Sequence, residues 1–204
     1  MTLFPVVLPV TNGLLDPRGR ERVALLSRCA RQALRLSAAR AGVTLLDFSK
    51  DEDDVPLPWG SYHWSVSHKP KYVAAVISGS PAGIDIEEVR PRNRSIFSYV
   101  ASDEEWELCG GQSWDALYCC WTAKEAVVKA AGTGLAGMRS CRVVSVPDEA
   151  HILLFYQDSL RTVEQMHFNG HIVAVLKDDN VVEWVFPEKS NDPIDNRANT
   201  ITNP

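Results

Sequence analysis

The sequence predicts an α+β fold on three observations. Apolar residues keep a 3-and-4 spacing at 20–41 and 113–131, strand-like runs cluster at 62–88 and 140–186, and Gly or Pro marks many of the joints. Each half of the chain therefore reads as a helix followed by short strands. No identity between the halves is visible, so a structural repeat is permitted and not shown.

The elements follow in order. Residues 20–41 form the first expected helix, with Val23, Leu26, Ala30, Ala33 and Leu34 on one face and Gly42 placed to end it. Residues 47–61, DFSKDEDDVPLPWGS, are rich in charge and proline and read as a loop. YHWSVSH (62–68) and YVAAVIS (72–78) flank a Lys-Pro-Lys turn and form a hairpin, and IDIEEV after Gly83 is a third extended run.

A second helical region covers 95–109. A stronger one covers 113–131, where Trp114, Leu117, Tyr118, Trp121, Glu125 and Val128 share a face expected to be buried, ahead of Gly132 and Gly134. Strands are expected at 140–146, 151–157, 171–177 and 181–186, the last two as a hairpin about Asp-Asp-Asn. The boundaries drawn are an N-terminal half at 1–82, a C-terminal half at 83–187 and a polar, disordered tail at 188–204.

Composition excludes several classes. With 204 residues, 45% hydrophobic and 23% charged, the chain is an ordinary globular sequence able to bury a core without staples. The five cysteines form no CxxC pair and sit at no zinc-ligand spacing with a histidine, so reduced thiols are expected. The opening MTLFPVVLPV is apolar but lacks a basic leader and is interrupted by Pro5 and Pro9, so no signal peptide is expected. No run has the length of a membrane span, and a cytoplasmic protein follows. The net charge of −5 argues against a nucleic-acid binder. Between 18 and 40, however, seven arginines face one acid, Glu21, a local basic surface suited to an anionic ligand or acidic partner.

Three segments carry candidate chemistry. In GIDIE (83–87) an extended backbone points Asp85 and Glu87 one way and Ile84 and Ile86 the other. Two converging carboxylates suit a hard divalent cation, and equally a sheet edge with solvated acids. In WTAKEAVVKAAGTGL (121–135), Glu125 and Lys129 are four apart on a helix. They read as a surface ion pair, a buried pair, or a carboxylate sharing a metal with Asp85 and Glu87 while Lys129 meets a phosphate. In SVSH (65–68), Ser67 and His68 close a strand before a turn, where they either reach a ligand or are structural. His63, His151, His167 and His171 have no such context. G-x-S-x-G, Walker and dinucleotide-binding loops are absent, and the cysteines read as packing residues.

Taken together, SVSH, then GIDIE beginning sixteen residues after Ser67, then the 121–135 segment resemble the 4′-phosphopantetheinyl transferases. The family's helix pattern, [FW]-[ST]-x-K-E-[AS]-x-x-K-x-x-G-x-G-[LM], fits at every specified position. The resemblance is strong over 62–145. The length resembles the longer, pseudo-dimeric (Sfp-type) subtype, which implies two similar halves, each a small mainly antiparallel sheet packed with helices, with coenzyme A in the cleft between them.

The resemblance implies Mg²⁺ on Asp85, Glu87 and Glu125, Lys129 on the cofactor phosphates, and Ser67 and His68 at the pyrophosphate. It makes Glu125, Lys129 and His68 the catalytic set, with Glu125 as general base. The implied reaction moves the phosphopantetheine arm of coenzyme A to a serine of an apo carrier protein of fatty-acid, polyketide or nonribosomal-peptide biosynthesis. The co-product is 3′,5′-ADP. The partner would present an acidic helix, and a monomer is expected because a pseudo-dimer has less need of a second chain.

Two departures stand out. Asp-Val-Pro (54–56) occupies the place where many longer members carry Gly-Lys-Pro, and the residue for the cofactor's 3′-phosphate falls among the early arginines, with Arg35 chosen. A coenzyme A- or carrier-binding protein without transfer activity and a Mg²⁺-dependent phosphohydrolase are the alternatives.

Overall fold

A computed structural model describes residues 1–10, 18–44, 46–52 and 54–186. The expected tail at 188–204 lies outside them. The architecture is α+β, with two antiparallel sheets packed against helices.

The first sheet has the order β2–β4–β3, from Val6–Pro9, Tyr72–Ser78 and His63–His68. The expected hairpin is β3–β4, running from His63 opposite Ser78 to His68 opposite Val73. Helix α1 (Gly19–Arg40) covers this sheet with Leu26, Ala30, Ala33, Leu34 and Ala38 against Trp64, Val73, Ala75 and Ile77. Val23, expected on that face, is 64% exposed and belongs to the solvent side. The fully buried Ser37 ties the layers together: its hydroxyl donates to the Phe4 carbonyl at 2.7 Å and accepts from the Ile77 amide at 3.1 Å. Both hydroxyl functions are satisfied, so burial costs little.

The second sheet has the order β5–β9–β8–β7–β6, from Ile84–Glu88, His171–Leu176, Ser159–Phe168, His151–Tyr156 and Arg142–Asp148. Strand β8 was not expected. It pairs with β7 through a turn in which Gln157 and Asp158 both have positive φ, 48° and 57°. Asp tolerates that region and Gln rarely adopts it, so the pair gives little turn signal.

The helical region expected at 95–109 is broken. A 3-10 turn at Arg94–Ile96 leads into α2 (Phe97–Val100), Ala101 is extended, and α3 (Asp103–Leu108) restarts with Ser102 and Glu105 forming a reciprocal capping box. Helix α4 (Trp114–Ala131) ends on Gly132 at φ 68°, a left-handed cap open to glycine.

α4 is buried on more sides than its periodicity implied. Leu117, Tyr118 and Val128 are buried as expected, Trp114, Trp121 and Glu125 are partly exposed, and Lys124 is buried instead. Its ammonium pairs with Glu105 at 2.7 Å and donates to the Val100 carbonyl at 2.7 Å. Glu105 also accepts from the Val143 amide, so one ion pair locks α2, α3, α4 and β6 together.

The hairpin expected at 171–186 does not form. β10 is only Val181–Val182 and runs parallel to β1 (Thr2–Leu3). Beyond it the Glu183 and Val185 amides donate to the Leu3 and Pro5 carbonyls. A compact turn stabilised by Asp178, which accepts from Arg161 and from the Thr162 amide, sends the chain away from β9. The two ends of the described chain thus clasp one another. A third apolar cluster, including Leu3, Val7, Ala74, Val76, Ile84, Ile86, Val173 and Val175, fills the space between the sheets.

Candidate functional site

The site forms where β3, β5 and α4 meet. Ile84 and Ile86 are fully buried in the cluster between the sheets, so strand alternation turns Asp85 and Glu87 the opposite way. α4 lies very close to β5 at this point. A Cβ on Gly83 would overlap the Ala126 carbonyl oxygen, so the glycine opening GIDIE permits the approach.

That approach sets the central contacts. Asp85 Oδ1 accepts from Lys129 Nζ at 2.6 Å and from the Ser67 hydroxyl at 2.8 Å. Lys129 also donates to the Ile84 carbonyl at 3.2 Å. Glu87 pairs with Lys69 at 2.7 Å. Ser65 holds β3 to β5 by accepting from the Ile84 amide at 3.2 Å. Glu125, one turn before Lys129, is partly buried and faces the same charges.

Electrostatics confirm the crowding. Burial raises the Glu125 pKa first, and Asp85 and then Glu87 add to the rise against Lys129 and Lys69. Burial likewise raises the Glu87 pKa; the Lys69 hydrogen bond opposes it and the Asp85 charge adds to it. The His68 side chain is exposed by area, yet its ring is desolvated enough to lower its pKa, with Lys69, Lys129 and Lys50 pushing the same way. A backbone hydrogen bond opposes this. Its lowered pKa favours a neutral imidazole in the free protein.

Structure therefore brings together Ser67, Asp85, Glu87, Glu125 and Lys129. Lys69 completes the set and was missed, although it directly follows SVSH. His68 opens onto a neighbouring cavity of about 240 Å³ that it shares with Arg31, Lys50, Phe48 and Trp64. Arg35 is not in that lining. Its guanidinium stacks 4.9 Å from the Phe48 ring centroid, and it borders a separate cavity with Val43 and Thr44. Arg31 lies one turn earlier on the same helix, and spacing alone could not choose between them.

Among the described residues no three His, Cys, Asp or Glu side chains form a ready-made metal cage. The lysines hold the carboxylates instead. Asp85 Oδ2, however, is buried with no hydrogen-bond partner. An orphaned carboxylate oxygen beside two further acids fits a hard cation. Mg²⁺ is usually held by one or two carboxylates together with waters and substrate phosphates.

The segment holding most of this geometry, residues 81–176, matches the model of the 4′-phosphopantetheinyl transferase superfamily. The matched segment contains β5, α4 and the sheet beneath them, and so contributes Asp85, Glu87, Glu125 and Lys129; Ser67, His68 and Lys69 come from the preceding segment. The chain is 28% identical over 100 residues to a 4′-phosphopantetheinyl transferase of Bacillus subtilis, covering 47% of this chain and 45% of that protein. It is 30% identical over 79 residues to one of Bacillus pumilus, covering 37% and 34%. A putative 4′-phosphopantetheinyl transferase of Haemophilus influenzae is 32% identical over 87 residues, covering 39% and 37%. The match thus spans less than half the length of each of these relatives. No helix among the described residues is long and apolar enough to cross a membrane.

Proposed function

We propose that the chain transfers the 4′-phosphopantetheine arm of coenzyme A to a serine hydroxyl of an apo carrier protein, releasing 3′,5′-ADP. The observation that carries this reading is the Asp85–Lys129 pair, set beside Glu87 and Glu125 in the segment that matches the 4′-phosphopantetheinyl transferase superfamily, with Ser67 reaching it from the preceding strand.

Asp85, Glu87 and Glu125 would hold Mg²⁺, which when bound neutralises charge on the pyrophosphate. Lys129 and Lys69 are already poised at the carboxylates, and they turn to phosphate oxygens when the anion arrives. Ser67, fixed on Asp85, and His68 line the approach to the pyrophosphate. The serine oxygen of the carrier attacks the β-phosphorus, and the bond from that phosphorus to the oxygen of 3′,5′-ADP breaks. Glu125 takes the serine proton, directly or through a water. Preorganised positive charge from Lys129 meets the charge that builds on the leaving group.

The cavity beside His68 offers Arg31 and Lys50 to the cofactor's terminal phosphate, and Phe48 and Trp64 to its base. Lys50 stands in for the lysine missing at Asp-Val-Pro. Arg35 contributes through its stack on Phe48. The carrier's acidic helix is drawn to the arginines of α1. The two sheets, each covered by a helix, correspond to the two halves of a pseudo-dimer that acts as a monomer in the cytoplasm.

The test is the mass of an apo carrier protein after incubation with the chain, coenzyme A and Mg²⁺. A gain of about 340 Da, one phosphopantetheine arm, that is lost on chelation supports the reading. Phosphate release without carrier modification would point to a hydrolase.

A further inference from the structure

A pair of thiols on the far side of α4 plays no part in the chemistry above. Cys109 caps the C-terminus of α3, Cys120 lies in α4, and their sulfurs are 2.9 Å apart without a disulfide. The bonded sulfur distance is about 2.05 Å, so less than about 1 Å of closure is required.

The two thiols differ in access. Cys120 is fully buried, whereas Cys109 is partly exposed and lines a cavity of about 840 Å³ with Ser113, Cys119, Ile152 and His167. They also differ in chemistry. The contact between the two sulfurs lowers the Cys109 pKa, and the same contact together with burial raises that of Cys120. Lys124 favours both thiolates, while Glu105 opposes ionisation of Cys109. Cys119 also borders the cavity, but burial pushes its thiol up to about 12, leaving it inert despite His167 at 3.5 Å. The arrangement is an accessible attacking thiol backed by a buried resolving thiol.

We propose that Cys109 and Cys120 form a hydroperoxide-oxidised dithiol, reached through the cavity, that closes to a disulfide joining α3 to α4. Cys109 thiolate attacks the terminal oxygen of the hydroperoxide, giving a sulfenic acid and releasing water or an alcohol. The Cys120 sulfur then displaces the sulfenic hydroxyl as water. In sum, two thiols lose two electrons and two protons, and the hydroperoxide is reduced. This site is independent of the transferase reading.

The test treats the fully reduced chain with hydrogen peroxide, alkylates the remaining thiols and maps them by mass spectrometry. Alkylatable cysteines fall from five to three, with Cys109 and Cys120 the pair lost. Cys119→Ser leaves that crosslink unchanged. In Cys120→Ser the product becomes a sulfenic acid at Cys109, trapped by dimedone. Retention of all five thiols at peroxide levels that oxidise a peroxiredoxin control overturns the proposal. So does a crosslink that uses Cys119. The wild-type map decides even if Cys120→Ser fails to fold.

Discussion

Lys129 donates to Asp85 Oδ1 at 2.6 Å, while the other oxygen of the same carboxylate is buried without a partner. The lysine thus acts as the counter-charge of Asp85 and leaves one carboxylate oxygen without a partner. Removing it exposes the repulsion among three acids. Lys129→Met should lower the stability of the free protein by about 1–3 kcal/mol, measured by urea unfolding. Mg²⁺ should then raise the Tm of the variant more than that of the wild type. Equal Mg²⁺ responses would show that the cation does not engage these carboxylates.

Gly83 is the structural condition for that pair. Gly83→Ala forces the new methyl into the Ala126 carbonyl, so α4 must shift away from β5. Overpacking of this kind costs about 1–3 kcal/mol. Transfer should fall more steeply than stability, because Glu125 and Lys129 move with the helix. A Gly83→Ala chain with unchanged Tm and turnover would contradict the close approach.

Lys124 lies beside Glu125 in the sequence and does unrelated work. Its side chain is 2% exposed and paired with Glu105. Lys124→Met strands a buried carboxylate and should cost about 3–5 kcal/mol. The fraction that remains folded should keep its turnover, as read by transfer per folded molecule.

Much of this was legible in the residues. Strand alternation placed Asp85 and Glu87 opposite Ile84 and Ile86, and helical spacing placed Glu125 one turn from Lys129. What stayed hidden depended on partners distant in sequence. Val181 and Val182 carry no sign that they pair with Thr2 and Leu3, and the Asp-Asp-Asn turn looked like a hairpin. The burial of Lys124 gives no local signal because its partner Glu105 lies in another helix. Ser102 and Glu105, by contrast, spell a capping box that would have divided 95–109 correctly. Arg31 and Lys50 meet His68 only after α1 packs on the first sheet.

Acidification should register at His68. Its folded pKa is lowered below 6.5, so just below that value the unfolded chain binds more protons than the folded one. Stability therefore falls as pH drops from about 6.5 toward the folded pKa. An NMR titration of the ring should give a midpoint below 6.5, and His68→Gln should flatten the stability loss in that window. A midpoint above 6.5 would refute the desolvated ring.

Glu125 sets activity against stability. Its folded pKa is raised, so its contribution is present below 4.5 and lost as pH rises through the folded value. At neutral pH the ionised side chain therefore burdens the free protein. Glu125→Gln should raise the Tm at pH 7, and this gain should disappear below pH 4.5. Such trade-offs are expected where like charges are assembled for function.

The same variant provides the most direct test of the transfer centre. With coenzyme A, Mg²⁺ and an apo carrier protein, the wild type should convert the carrier to its holo form. Glu125→Gln, folded and at least as stable, should lose turnover by at least about 100-fold, the scale of a general base removed. Near-normal turnover by that variant would contradict the assignment of Glu125 and, with it, the shared acid–lysine centre.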